Sequence, residues 1–506
     1  MQLTAWPILL PLIGGFLVLF ARLGGLRLQR SLNLLIVLGL VLISIEMLKV
    51  SMTGVHQVYL SGNWIAPFGI VFVLDKLSAI MVLITSLLAL GSLWYAIATK
   101  IDEKGSHFHV LFQLQLFGLN GAFMTGDLFN LFVFFEVMLL ASYGLLLHGS
   151  GRLRTKAGLH YVVINMIGAT LFLFAVGALY GAVGTMNIAD MAAKVAVAPP
   201  EDHGLIAAAG LLLLIVFGIK AAMFPLYLWL PSAYANTSAP VAALFAIMTK
   251  VGIYSIIRAH GTIFGDTAGD LAFYWAPWVL GLGLVTLALA ALGVLAARGL
   301  REQVAYLVLA SVATLLIGVG LNSPAAMSAT LYYLIHSTLV AGGMFLLADV
   351  IARGRGEIGD KFTSAPIMPN AVLIGSMFMF AAVAMTGMPP LSGFFGKVLV
   401  LASALDQAWF VAILAVILIA GLFTIVAMAR SGSLLFYRTQ PVNELPGEPL
   451  NKSAFIAVVG LLAASPLLVI FANPVSALTE LAALQQFDSA SYIEAVLTTP
   501  ATERVK

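Results

Sequence analysis

The sequence predicts an all-α polytopic membrane protein. About fourteen transmembrane helices are expected, with two inverted five-helix repeats that each contain a helix broken by proline and glycine. Three observations carry that reading. Charge is scarce: Asp, Glu, Lys and Arg make up 9% of the 506 residues, where a soluble domain carries about 25%. Apolar residues reach 61% before the 47 glycines are counted. They are also grouped into runs of about 20 residues, the length a helix needs to cross a bilayer. A soluble globule cannot hide so much apolar surface, and disordered or fibrous classes do not carry so many aromatic residues.

The spans follow in order along the chain. The first six begin near Leu3, Ser31, Val71, Phe108, Asp127 and Gly158. The next four begin near Leu205, Ala239, Leu271 and Gln303, and the last four near Ala325, Asn370, Ala408 and Ser453. Helices are the only economical solution, since unpaired backbone groups in hydrocarbon cost several kcal/mol each. The start Met-Gln-Leu-Thr lacks the basic residues of a signal peptide, so it reads as the first span. This gives four stretches: N-terminal helices over 1–107, a first repeat over 108–260, a second over 261–438, and a last helix with its tail over 439–506. The tail after Asn473 carries Glu480, Asp488 and Glu494. It fits either an interfacial helix or a loosely ordered terminus.

Lysines and arginines in short loops set orientation. If the N-terminus faces outward, most of the 25 basic residues fall on the inner side, from Arg22, Arg27 and Arg30 through Arg152, Arg154 and Lys156 to Arg353, Arg355 and Lys361. Lys49, Lys76, Lys194, Arg258, Arg504 and Lys506 fall at the outer side. An even number of spans then places both termini outside. The net charge of +3 and the dispersed basic residues give no reason to expect a nucleic-acid partner. With no cysteine, the chain has no disulfide, no Cys-ligated metal and no thiol nucleophile; no cofactor and no metal site are expected.

A few charges remain inside the apolar runs. Glu136 stands in Leu-Phe-Val-Phe-Phe-Glu-Val-Met-Leu-Leu, and Lys250 is as central in its own span. A charge at that depth costs at least about 2.5–3.5 kcal/mol and should face the bundle interior. Glu136 is either one arm of a static ion pair or part of a pathway; the recurrence of ionisable groups favours a pathway. Lys220 precedes a break at Pro225, in Gly218-Ile-Lys-Ala-Ala-Met-Phe-Pro225. A second break reads Met385-Thr-Gly-Met-Pro-Pro390-Leu-Ser-Gly393-Phe-Phe-Gly-Lys397. Such interruptions are either ordinary proline kinks or the paired broken helices of a transport pathway. A lysine beside each favours the second. The breaks lie in the seventh and twelfth spans, an odd offset that reverses orientation and predicts inverted repeats. His336, central in the eleventh span, is open to two readings, a proton relay or a hydrogen-bonded core histidine. His148 and His160 near span ends read as interfacial, while Asp75, Asp127 and Asp349 read as end residues. Lysine suits proton movement, because desolvation disfavours its charged form and a nearby carboxylate favours it. Nothing here calls for bond-making catalysis.

These segments resemble a known family. Asp127-Leu-Phe-Asn-Leu-Phe-Val-Phe-Phe-Glu136, Lys220-Ala-Ala-Met-Phe-Pro-Leu-Tyr-Leu-Trp-Leu-Pro231, Ala239-Pro-Val-Ala-Ala-Leu and Pro389-Pro-Leu-Ser-Gly-Phe-Phe-Gly-Lys397 are similar to the family shared by Mrp-type cation/proton antiporters and the large membrane subunits of respiratory complex I. Within it, the run Met248-Thr-Lys250-Val-Gly-Ile-Tyr is most similar to the D-type branch of the Mrp antiporter subunits. The resemblance covers nearly the whole chain. It implies a proton-translocating subunit of a multi-subunit Na⁺(K⁺)/H⁺ antiporter in a bacterial cytoplasmic membrane, with other Mrp subunits as partners. The alternative is the antiporter-like pump subunit of complex I or a related membrane hydrogenase. Carried over, Glu136 and Lys220 form the ion pair of the first half-channel, Lys250 the central relay, His336 the next and Lys397 the last. One departure is Ala341, where some relatives carry a further lysine.

Overall fold

The computed structural model describes residues 3–438 and 447–501. Arg504 and Lys506, and positions 439–446 of the last stretch, lie outside the described residues. The chain opens with α1 (Trp6–Ala21) and α2 (Leu26–Ser51). A hairpin of β1 (Gln57–Leu60) and β2 (Val71–Leu74) leads into α3 (Lys76–Ala98). Then come α4 (Phe108–Met124), α5 (Leu128–Leu147), α6 (Arg152–Val183) and the short α7 (Ile188–Val195). The first broken helix is α8 (His203–Lys220) and α9 (Trp229–Asn236). The next span runs through α10 (Ala239–Phe245), α11 (Met248–Ser255), a π-helical turn Ile256–His260 and α12 (Gly261–Ile263). The second half holds α13 (Ala276–Ala296), α14 (Leu300–Gly320) and α15 (Pro324–Gly354). The second broken helix is α16 (Ala371–Thr386) and α17 (Ser392–Ala402), followed by α18 (Phe410–Gly432). The chain closes with α19 (Lys452–Leu462), α20 (Ala464–Ile470), α21 (Ala472–Gln486) and α22 (Ser489–Thr498).

Among the described residues, 12 helices are long and apolar enough to cross a membrane. The fourth and twelfth expected spans are the shorter α4 and the interrupted α16–α17 pair. The two halves pack alike. In the first, α4 lies on α5, α5 on α6, α6 on both pieces of the broken helix, and α8 on α11. In the second, α13 lies on α14, α14 on α15, α15 on both α16 and α17, and α16 on α18. The molecule is layered by burial: α10, α11, α14 and α15 form its interior, whereas α6 and α18 turn much of their surface outward. Phe174 at 65% and Val411 at 76% exposure would be a liability in water; in a bilayer they face their solvent.

The helical polytopic class holds, with one addition and several refinements. The addition is the hairpin, in which Val71-Phe-Val-Leu74 pairs antiparallel with Gln57–Leu60. The third span therefore starts at Lys76 rather than Val71. An apolar run of four residues cannot be told from a helix start by periodicity. What divides strand from helix is Asp75, whose carboxylate accepts from the Ser78 backbone N–H while Ser78 Oγ accepts from the Asp75 N–H, both at 2.9 Å. This is a capping box. The tail is not loosely ordered over the described residues, since α21 packs on α15 and α3 and α22 on α7 and α12. Lys76 and Arg258, expected at the outer edge, are both buried within the bundle. His148 is also buried, bonded to the Ile101 carbonyl at 2.9 Å.

Lysines at two broken helices and a buried span

The first break begins where α8 ends on Lys220. Pro225 supplies no N–H, so the carbonyls and amides around it must be paired by other means. The Phe217 carbonyl accepts from Ala221 and that of Gly218 from Met223, both at 2.8 Å. The Ile219 carbonyl accepts from the Trp229 indole at 3.1 Å, and the Phe224 N–H donates to Thr286 Oγ1 on α13 at 2.9 Å. An irregular segment at membrane depth is tolerated on these terms.

Lys220 is 5% exposed. Its Nζ donates to Asn165 Oδ1 on α6 at 3.1 Å and lies 5.7 Å from the centre of the Phe135 ring. The Asn165 amide is held by a second bond from its Nδ2 to the Tyr161 carbonyl at 2.8 Å, which leaves its oxygen for the lysine. Glu136, next to Phe135 on α5, is half-buried. Among the described residues no ion pair within 4.0 Å joins Glu136 to Lys220. The lysine is instead held by an amide and a ring. Asn165 escaped the sequence reading; the visible signal was an amide in an otherwise apolar span, which charge counting ignores.

Lys250 on α11 is fully buried, and its nearest polar partner is Ser311 Oγ on α14, at 3.5 Å. Lys397 on α17 is half-buried and donates to the Thr386 carbonyl, at the end of α16, at 2.7 Å. It thus satisfies a carbonyl freed by the break at Pro389 and Pro390. Gly387 makes the turn possible: its φ of 76° is costly for any residue with a Cβ, and the Met388 N–H closes back onto the Val383 carbonyl at 3.1 Å. His336 on α15 is buried with both ring nitrogens engaged, Nδ1 with Ser392 Oγ at 2.7 Å and Nε2 with the Ala384 carbonyl at 3.2 Å. Gly393 permits this approach, because a Cβ there would lie 2.7 Å from His336 Nε2. Both bonds tie α15 to the second break.

Two buried ion-pair clusters flank the lysines. At the end of the bundle where α3 begins, Asp75 binds Arg258 at 2.6 Å, the guanidinium lies over the Tyr254 and Tyr492 rings, and Gln486 donates to Asp75 at 3.3 Å. Burial would raise the Asp75 carboxyl, but Arg258 and its other partners outweigh it and hold it below its ordinary range. The His56 imidazole beside them is pushed down, chiefly by burial. At the opposite end of α3, Asp349 on α15 binds Arg301 and Arg353 and accepts from the Tyr95 hydroxyl at 2.9 Å. These clusters absorb Asp75 and Asp349; Asp127 caps α5 by accepting from the Asn130 N–H at 2.7 Å.

Fold and site together define a class of polytopic membrane protein in which broken helices present cations deep within the bundle. The family model described as NADH:quinone oxidoreductase/Mrp antiporter, TM, matches residues 125–424, and this chain belongs to that family. Over 86% of this chain and 87% of the relative, it is 40% identical to a D-type subunit of Rhizobium meliloti (strain 1021) described as a probable K(+)/H(+) antiporter component. It is 35% identical to the corresponding D-type component of the Na(+)/H(+) antiporter of Alkalihalophilus pseudofirmus, over 98% of this chain and 99% of the relative. A solved Mrp complex from Dietzia sp. DQ12-45-1b contains a chain that superposes with a TM-score of 0.86 at 26% identity, covering 98% of this chain and 100% of that one.

Proposed function

We propose that this chain is the proton-translocating subunit of a multi-subunit monovalent cation/proton antiporter, a secondary transporter component rather than an enzyme. It assembles with other Mrp-type subunits, and the complex exchanges Na⁺ or K⁺ for H⁺. The observation that carries the reading is the line of Lys220, Lys250 and Lys397, each at or beside a broken or fully buried helix and none ion-paired to a carboxylate within 4.0 Å among the described residues. A structural charge at this depth would be expected to hold a counter-ion; groups that bind and release protons need neighbours that tolerate both states. Glu136 supplies negative charge near Lys220 at the start of the line, and His336 stands beside its far end. Moving one charge through 100 mV involves about 2.3 kcal/mol, a scale that side-chain protonation equilibria match.

The D-type antiporter relatives support antiport over the complex I alternative. The bacterial cytoplasmic membrane is what the family resemblance implies, and both termini are assigned to the outer side on the distribution of lysine and arginine. Its division is into helices of 1–107, repeats at 108–260 and 261–438 around Pro225 and Pro389/Pro390, and a terminal stretch of 439–506. The test uses everted vesicles from antiporter-deficient cells expressing all subunits. Adding Na⁺ or K⁺ should dissipate a preformed pH gradient, and Glu136→Ala or Lys220→Ala should abolish this while the complex still assembles. Full exchange in both variants would end the proposal.

A further inference from the structure

Between Lys250 and Lys397, among the described residues, no histidine, carboxylate or further lysine is bonded to either ammonium. His336, the expected candidate, has Nδ1 on Ser392 and Nε2 on the Ala384 carbonyl, and Ser392 is itself bonded to Ser465 Oγ at 3.0 Å. Because Nε2 faces a carbonyl it must carry the hydrogen, which leaves Nδ1 accepting from the serine. Neither nitrogen is free toward either lysine. His336 is committed to holding the second break against α15.

Another path is built beside it. A small cavity of about 10 Å³ lies between α13, α14, α15, α16, α17 and α18, and Lys397, Ser311, Thr314, Tyr333 and Thr424 supply its polar lining. That volume corresponds to a single water site, and several polar partners are what such a water needs. Ser311 belongs to both ends, since its Oγ is the nearest polar partner of Lys250 Nζ and also borders the cavity that holds Lys397. We propose that protons pass between Lys250 and Lys397 through the Ser311 hydroxyl and one water held by Thr314 and Tyr333, with His336 acting as a positioning residue outside the path. This rests on the reading of both lysines as proton carriers.

The transfer balances without any other reactant. Ser311 Oγ donates to the Val308 carbonyl at 2.7 Å, which leaves its lone pairs to accept from Lys250. The Ser311 hydroxyl first turns from the Val308 carbonyl to donate to the water; a proton then leaves the Lys250 ammonium for Ser311 Oγ, the serine's own proton passes to the water, and a proton of the water reaches a neutral Lys397 amine. Lys250 ends neutral and Lys397 charged. The serine hydroxyl and the water then reorient for the next transfer.

The experiment measures cation-driven proton movement in everted vesicles carrying the full complex, with assembly checked by native gel. Ser311→Ala should slow exchange by at least about tenfold, the scale of a lost proton-transfer step, and Ser311→Thr, which keeps the hydroxyl, should restore most of it. Ala420→Val, which shrinks the cavity from the α18 side without touching a polar group, should slow exchange like Ser311→Ala. It keeps the test sound if Ser311→Ala fails to assemble. Wild-type exchange in assembled Ser311→Ala or Ala420→Val would overturn the route. Lys250→Met and Lys397→Met run beside them separate the two levels: if both lose exchange while Ser311→Ala retains it, only the route is wrong. If the lysine variants retain exchange, the proton-carrier reading falls and the route with it.

Discussion

Lys220 is held by an amide. Asn165 gives the ammonium a neutral acceptor at 3.1 Å, so the lysine is oriented without the strong counter-charge that would fix its protonation. Replacing Asn165 by leucine should leave Nζ facing apolar groups and lower stability by about 1–3 kcal/mol, the cost of an unsatisfied buried donor. Thermal unfolding of the purified complex would show the loss, and exchange should fall in parallel. An unchanged melting temperature with unchanged exchange would mean that Asn165 does not support the lysine. At Lys250 and Lys397 arginine is the sharper probe, because it keeps the charge and does not release a proton. Both variants should block exchange in vesicles, and retained transport would make these lysines fixed charges. The sequence marked all three lysines, since a cation in an apolar run stands out. It hid Asn165, Ser311, Thr314 and Tyr333, because neutral polar side chains are common in membrane helices and only their neighbours tell which matter.

At the scale of elements, the breaks and the caps do the positioning. Gly387→Ala places a Cβ at a left-handed backbone position and against the Lys397 stem, at a cost of roughly 1–2 kcal/mol for the backbone alone. A lower melting temperature with reduced exchange is expected, and a neutral outcome would show that the second break can relax without moving Lys397. The Asp75–Arg258 pair ties the start of α3 to the π-helical turn, while Tyr492 of α22 and Gln486 of α21 close over it. Asp75→Asn leaves Arg258 buried without its counter-ion, a change of about 3–5 kcal/mol, and should expose α22 to protease or hydrogen exchange. The pH dependence has a definite sign. Asp75 titrates below its ordinary range, so its contribution is fully present above the unfolded value near 3.9 and is lost only as pH falls through the lower folded value. Protection of α22 should therefore hold at about pH 5 and weaken only in stronger acid. Loss of protection already between roughly pH 6 and 5 would point to another group. Both prolines were legible as breaks because proline cannot donate, whereas the β-hairpin was not: its second strand is as apolar as the helix it precedes.

For the whole molecule, the arrangement predicts which groups share a side of the membrane. The chain has no cysteine, so single cysteines report position cleanly. Lys104→Cys, in the loop after α3, should stay unreactive toward an impermeant maleimide in intact cells and react in everted vesicles. Glu494→Cys, on the outer side of the tail helix α22, should do the reverse. The opposite pattern would invert the orientation and with it the direction of the pathway. The like packing of α4–α11 and α13–α18 also sets each broken helix against the long third helix of its own half, α6 or α15. That places Asn165 and His336 in related surroundings, though one holds a lysine and the other a helix end.

The sequence by itself determined the class, the order of the spans, the two breaks and the buried lysines, because each follows from local rules: about twenty apolar residues span a bilayer, proline removes a donor, and charge in hydrocarbon is rare enough to notice. Only the tertiary structure decided what each charge meets. Lys220 is held by Asn165 rather than by a carboxylate, Arg258 is paired with Asp75 inside the bundle, and His336 is bound at both nitrogens. Partners come from helices far apart in the chain, and no local pattern encodes which neutral side chain a neighbouring helix will bring to within hydrogen-bonding distance.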